Sequence, residues 1–335
     1  MNKCPAAFNQ LYLHSSGKVY PCSFLQNDPR FELGSLSSKT LDDIWVSDEL
    51  KRFREIQVKQ DESSRCSSNQ KKYLCDKLNT RSYFNNDDLK LKRIDIMLDS
   101  FCNLICIMCT NIYDETGGFK LPFFWENNDL LISSLKEIEL VGGEPLISPY
   151  FFKLVDKVLM TKNDCEWKVT TNANYPITAR LKETLDKLNF STFAISLDSL
   201  SKNTFETIRK NSSHELVMSN IDKFSTFIPN LSINMVVQQL NHSELFEMYQ
   251  WSKDKGLKFY PILLTHPETH SLLNLPEIEL LKITKDLIAN NQKIKSLEIF
   301  FLIRKIINNS SLKFNIDAIA SYQEHLLDLP KVLDE

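Results

Sequence analysis

The sequence predicts an α/β protein: a partial (β/α)6 TIM-like barrel, preceded by a small N-terminal cysteine-containing module and followed by C-terminal helices. Three observations carry this reading. Short apolar runs alternate with amphipathic stretches after residue 90; there are six such runs, too few for a full eight-unit barrel; and the unusual polar and sulfur residues fall just after the runs. Strands separated by helices pair in parallel, and parallel sheets gather their functional groups at the C-terminal strand ends.

The six expected strands are RIDIML (93–98), EIELV (137–141), WKVTT (167–171), FAISL (193–197), LSINMVVQ (231–238) and FYPILL (259–264). SPYFFKLVDKVLM and ITARLKETLDKL between them repeat apolar residues at helical spacing. The cysteine triplet follows the first strand, GGEP the second and TNAN the third, while SLDS ends the fourth and QQLN the fifth. All five therefore belong to one rim. Beyond residue 265 the pattern is helical, with Pro276 expected at a first helical position of PEIELLKITKDLIANN and an apolar face on SLEIFFLIRKII. Residues 1–90 lack the alternation. The expected division is a cysteine module over 1–90, a barrel over 91–265 and a helical extension over 266–335.

Composition bounds the function. At 335 residues the chain is long enough for a sizeable core, and its net charge of −3 gives no general attraction to nucleic acid or an anionic membrane. No run of eighteen apolar residues occurs, and MNKCPAAFNQ lacks the basic-then-apolar pattern of a signal peptide, so a cytoplasmic location is expected. There, cysteines at short spacings read as metal ligands or redox groups rather than disulfides.

Cys102, Cys106 and Cys109 stand at C-x3-C-x2-C with no adjacent histidine. A structural zinc site needs four closed ligands and a catalytic one usually includes histidine, so the triplet fits zinc poorly. Iron-sulfur clusters are held by thiolates, and a four-iron cluster with three of them keeps one iron open to a second molecule.

The triplet after a first strand, followed by GGEP after a second, resembles the radical S-adenosylmethionine (SAM) superfamily. The resemblance implies a 4Fe-4S cluster on Cys102, Cys106 and Cys109, whose open iron chelates the methionine end of SAM, and a 5′-deoxyadenosyl radical formed by reductive cleavage. It implies SAM-binding roles for Gly142, Gly143 and Glu144 at the methionine amino group, for Asn172, Ser196 and Asp198 around the ribose and methionyl portions, for Arg209 toward the methionine carboxylate, and for Gln238 and Asn241 near the adenosyl group. Met108 stands where the family commonly has an aromatic residue packed near adenine. An electron donor such as flavodoxin or ferredoxin is implied as a partner. Singly, each motif has a plainer reading: GGEP as a turn, SLDS as a strand end with a helix cap, Arg209 as a surface charge. Their order around the triplet is what sets them apart.

Cys4 and Cys22 frame C-x12-G-x4-C, which continues through GSL and IW to Cys66 and Cys75. This region is similar to the SPASM/twitch auxiliary-cluster modules of the same superfamily, which normally follow the barrel and here precede it. A full SPASM pattern has seven cysteines. Four remain here, with Asn69 where another is expected, which implies one auxiliary 4Fe-4S cluster; tetrahedral zinc is the competing reading. Cys165 is expected to have no role.

The resemblance implies radical modification of a peptide or protein side chain, by oxidation or cross-linking, with a small metabolite as the alternative substrate. A non-catalytic iron-sulfur or zinc protein is the reading from another class. It would predict loss of the cofactor residues, and they are present. RNA modification is disfavoured by the acidic balance and the lack of a basic stripe. No general base is identifiable, because carboxylates and tyrosines are many and only geometry chooses among them.

Overall fold

The computed structural model describes residues 6–26, 28–59, 89–109, 124–125, 129–161 and 164–314. In chain order the described strands are β1 (Gln10–Leu13), β2 (Lys18–Tyr20), β3 (Gly34–Ser35), β4 (Arg93–Met97), β5 (Ile105–Cys106), β6 (Glu137–Val141), β7 (Glu166–Thr171), β8 (Asn189–Ser196), β9 (Arg209–Lys210), β10 (Leu231–Val237) and β11 (Lys258–Leu263). All six strands expected from the sequence are there, as β4, β6, β7, β8, β10 and β11, with ends moved by a few residues. The chain forms two compact units, the first from the described parts of 1–102, 111–171 and 176–193, the second from those of 103–110, 172–175 and 194–335.

The first unit is built on strands in the order β7-β6-β4-β1-β2-β3. β7, β6, β4 and β1 run parallel, and β2 and β3 continue antiparallel. Ile94, Ile96, Ile138, Leu140, Trp167 and Val169 alternate along β4, β6 and β7 and are buried, which is the apolar side of the sheet. The helix Pro149–Met160 buries Phe151, Leu154, Val155 and Val158, an i, i+3, i+4, i+7 stripe, and starts where Ser148 caps the amide of Tyr150 ahead of Pro149.

Within C-x12-G-x4-C the chain forms a hairpin of β1 and β2, turned at Gly17, whose φ of 90° suits glycine. The GSL…IW segment supplies β3 and the helix Leu41–Trp45, the latter opened by a Thr40–Asp43 capping box. One pairing had no signal in the sequence. β1 lies parallel to β4 in register from Gln10↔Arg93 to Leu13↔Ile96, so the N-terminal hairpin extends the sheet at the first expected barrel strand. Cys4, Cys66, Cys75 and the tail 315–335 lie outside the described residues.

In the second unit β10 and β11 are parallel, with the end of β8 next to β10, and β5 and β9 form a separate antiparallel pair. Pro276 is the residue just before the helix Glu277–Ile294, one position earlier than expected. The helix Leu297–Asn308 follows, capped by Ser296, and packs on β11 with Ile299, Phe300, Ile303 and Ile306 buried. Among the described residues no helix is long and apolar enough to cross a membrane.

Candidate cofactor site

Each unit holds a different set of the residues expected at the rim. In the first, the segment after β6 lies directly against the segment after β4. Gly143 donates its amide to Asp99 O (3.1 Å) and Glu144 donates to Phe101 O (2.9 Å). A Cβ on Gly143 would sit 1.9 Å from Phe101 O, and one on Gly142, whose φ is +111°, would sit 2.6 Å from Met97 Cγ and 2.7 Å from Asp99 O. Glycine is required at both positions, for close approach at 143 and for conformation at 142. Glu144 is buried. Its Oε1 accepts from Thr171 Oγ1 (2.7 Å) and caps Leu146 N (3.3 Å), so the structure gives this carboxylate a bracing role in the turn Pro145–Ile147. Cys102, half-buried, is the last residue of the unit's first segment.

The second unit holds Cys106, Cys109 and most of the remaining expected residues. β5 pairs with β9 so that Cys106 lies opposite Arg209 and Ile105 opposite Lys210, and Ile107 N donates to Ile208 O (2.9 Å). Arg209 is buried, with Nη1 3.9 Å from Cys106 Sγ and Nε 2.8 Å from Asp198 Oδ2. Arg209 is thus an ion-paired residue seated at the sulfur rather than a surface charge. Asp198 is fully buried, and its Oδ1 accepts from Val236 N (2.7 Å). Burial pushes the Asp198 carboxyl above its usual range, while the Arg209 guanidinium and the Val236 amide pull it back.

Asn241 is equally buried, donating to Asp198 O (2.8 Å) and Val236 O (3.0 Å) and accepting from Gln238 N (2.8 Å). These bonds make Asp198 and Asn241 fixtures that hold the ends of β8 and β10. Asn172 donates to Asn103 Oδ1 (2.8 Å) and accepts from Asn174 N (2.8 Å), and Asn103 donates to Asn174 O (2.7 Å). Asn103, next to the first cysteine, ties the cysteine loop to TNAN, a link the sequence reading missed although a polar residue between cysteines is a visible signal. Ser196 and Met108 are half-buried and Cys109 is exposed.

The donor set suits a cluster and a polar organic ligand. Among the described residues no three Cys, His, Asp or Glu converge closely enough for a single metal ion, and an iron-sulfur cluster spaces its thiolates more widely than one ion does. Gln238 is fully buried with neither side-chain amide atom hydrogen-bonded within the protein, an orphaned donor and acceptor of the kind a bound nucleoside would satisfy. The Gly142–Gly143 backbone packs against the carbonyls that follow β4 so closely that no side chain fits between them. Cys165, expected to be idle, is buried and its thiol is pushed up to about 12 by desolvation, which keeps it neutral and unreactive.

Comparison with known proteins adds to this geometry. Residues 98–252 match the model of the Radical SAM superfamily, and residues 4–69 match that of SPASM, an iron-sulfur cluster-binding domain. The second match takes in Cys4, Cys22 and Cys66 and stops short of Cys75. Curated relatives include a GTP 3′,8-cyclase of Synechocystis sp., 25% identical over 182 residues that make up 52% of this chain and 55% of that protein. Another is the GTP 3′,8-cyclase of Listeria welshimeri, 27% identical over 176 residues, 49% and 51% of the two chains. The chain thus spans about half the length of the curated relatives it matches. Among solved structures, native anSMEcpe with bound AdoMet is similar over 61% of this chain and 60% of that one, at 16% identity and a TM-score of 0.49. Streptococcus suis SuiB bound to S-adenosylmethionine is similar over 72% of this chain and 58% of that one, at 16% identity and a TM-score of 0.45. With the cysteine triplet, glycine cradle and strand-end fixtures all inside the matched spans, residues 98–252 are a radical SAM superfamily region, and an iron-sulfur cluster-binding SPASM region at residues 4–69 precedes it.

Proposed function

We propose that the protein cleaves S-adenosylmethionine reductively and uses the 5′-deoxyadenosyl radical to take hydrogen from a peptide or protein side chain, ending in oxidation or a cross-link. The observation that carries the reading is the β5–β9 pairing, which sets the middle cysteine of the triplet beside a buried, ion-paired arginine. Cys102, Cys106 and Cys109 would hold the four-iron cluster, which when bound supplies one electron and an open iron. Gly142 and Gly143 admit the methionine end of the cofactor, Gln238 offers its unmatched amide, and Asn172, Ser196 and Met108 line the approach. Asp198 holds Arg209, and Asn241 holds the strand ends.

Cys22, with Cys4, Cys66 and Cys75, would hold an auxiliary cluster, whose chemistry is one-electron transfer. An auxiliary cluster can accept the electron released when a side chain is oxidised, which is the chemistry the peptide reading needs. The segments 1–90, 91–265 and 266–335 would serve as electron-transfer module, radical-forming barrel and substrate cover. A reduced flavodoxin or ferredoxin would supply electrons, and the cytoplasm, where thiols stay reduced, would be the compartment.

The second reading, a small metabolite substrate, is favoured by the GTP 3′,8-cyclase relatives. Anaerobic reconstitution, then SAM and dithionite with 5′-deoxyadenosine followed by mass spectrometry, tests the radical step; the parent should form it and the Cys102→Ala/Cys106→Ala/Cys109→Ala variant should not. No deoxyadenosine from the cluster-loaded parent would leave the non-catalytic reading. Repeating the assay with GTP separates the substrates: GTP consumption coupled to deoxyadenosine would overturn the peptide reading.

A further inference from the structure

The side of the first unit's sheet opposite its apolar face carries buried charge that the cofactor chemistry does not use. Arg93 is 3% exposed and sits with Nε 2.6 Å from Asp95 Oδ1, while its terminal nitrogens reach Glu137 and Glu139. Lys168 Nζ lies 3.0 Å from Glu137 Oε2. Strand register brings these together: Glu137 pairs with Arg93, and Glu139 stands between Asp95 and Lys168. On the other flank Gln10 pairs with Arg93 and Tyr12 with Asp95.

Two features leave this cluster short of positive charge and of one donor. Among the described residues two cations, Arg93 and Lys168, face three carboxylates, Asp95, Glu137 and Glu139, a net excess of one negative charge where desolvation makes it expensive. Independently, Gln10 from the N-terminal hairpin is 1% exposed and donates Nε2 to Asp95 Oδ2 (2.8 Å), and its Oε1, on the same amide carbon, has no partner. An excess anion and an orphaned acceptor side by side ask for a cationic donor. The side chains of Glu139 and Lys168 are 34% and 20% exposed, so the cluster is open on their side.

We infer that this cluster binds a cationic side chain of the substrate, an ammonium or guanidinium group, between Gln10, Asp95 and Glu139. The inference rests on the peptide reading above and names the kind of residue that substrate would carry. Asp95 shares its strand face with Met97, whose side chain packs where Gly142 leaves room, so the site lies on the strand that leads to the rim. Desolvation and Glu139 push the Asp95 carboxyl up to about 6 against the pull of Arg93, so the cluster by itself already draws in positive charge as a proton.

The test is calorimetric titration of the full, cluster-loaded chain, without reductant, using Nα-acetyl-lysine methylamide, Nα-acetyl-arginine methylamide and the neutral Nα-acetyl-norleucine methylamide. One or both cations should bind saturably with a dissociation constant on the order of 1 mM, and the norleucine compound should not. Glu139→Gln should weaken binding about tenfold and Lys168→Gln should strengthen it about tenfold, a pair of opposite signs that loss of folding cannot produce. Absence of saturable cation binding, or equal binding in both variants, would overturn the inference. Deoxyadenosine formation in the parent without cation binding removes this inference alone, whereas cation binding without deoxyadenosine removes the proposed reaction and leaves the site.

Discussion

The two units fix the residues expected to bind the cofactor by different means. The first uses backbone: Gly142 and Gly143 press against the carbonyls of Asp99, Ser100 and Phe101, and its buried charges stand away from the rim along β4, β6 and β7. The second uses side chains: Arg209, Asp198, Asn241, Asn172 and Asn103 form ion pairs and hydrogen bonds around Cys106 and the strand ends. A backbone cradle fails by added volume and a polar scaffold by lost partners. The substitutions that break each are therefore of opposite kinds.

The largest loss should come from the polar side. Asp198→Asn leaves the Arg209 guanidinium buried without its counter-charge, which should cost about 3–5 kcal/mol in denaturant unfolding of the apo chain. Replacing both partners together, Asp198→Asn with Arg209→Met, should cost less than the single change, because no charge is stranded. A double variant as unstable as the single would show that the pair is not what holds β8 and β9 at the cysteine loop.

On the backbone side, Gly143→Ala should cost about 1–3 kcal/mol, since the new methyl meets a carbonyl rather than a side chain that can swing away. Its effect on SAM binding should be disproportionate. Equilibrium dialysis with the cluster-loaded protein should show affinity lost by at least about tenfold, because the displaced segment is the one proposed to meet the cofactor. Unchanged affinity would mean the glycines serve packing alone. A smaller effect is expected from Asn103→Ala, which removes hydrogen bonds to Asn172 and Asn174 and should cost about 1–2 kcal/mol.

The contrast also separates what the sequence discloses from what it hides. The six strands were legible because each is a short apolar run bounded by helical patterns, and the candidate site residues stood out because glycine pairs, clustered cysteines and strand-end polar residues are locally unusual. Arg93, Asp95, Glu137, Glu139 and Lys168 were not, since a charge at every second strand position ordinarily marks a solvated face. Only the register of β4, β6 and β7 brings them into one buried group. The parallel union of β1 with β4 was hidden for the same reason: it joins residues some eighty positions apart in the chain, and no local pattern reports a non-local pairing. Asp198 and Asn241 were visible as polar strand ends, but their occupation by backbone partners is a matter of geometry.

The smallest effect tests whether the first unit's charges are as separate from its rim as the geometry suggests. Asp95 is buried among Arg93, Glu139, Lys168, Gln10 and Tyr12, with its carboxyl pushed from 3.8 up to about 6, desolvation being the largest cause. A carboxyl raised on folding binds its proton more tightly in the native state, so its contribution to stability is fully present below 3.8 and is lost as pH climbs through about 6. Relative to Asp95→Asn, the parent should therefore gain stability as pH falls from about 7 toward 4, read as a converging pair of melting temperatures. If Asp95 were instead held as a fully satisfied carboxylate by Arg93, the parent would lose ground to the variant over the same interval. Adding a cationic amide should flatten the parent's pH dependence and leave that of Asp95→Asn unchanged, because the ligand then supplies the positive charge that the proton otherwise brings.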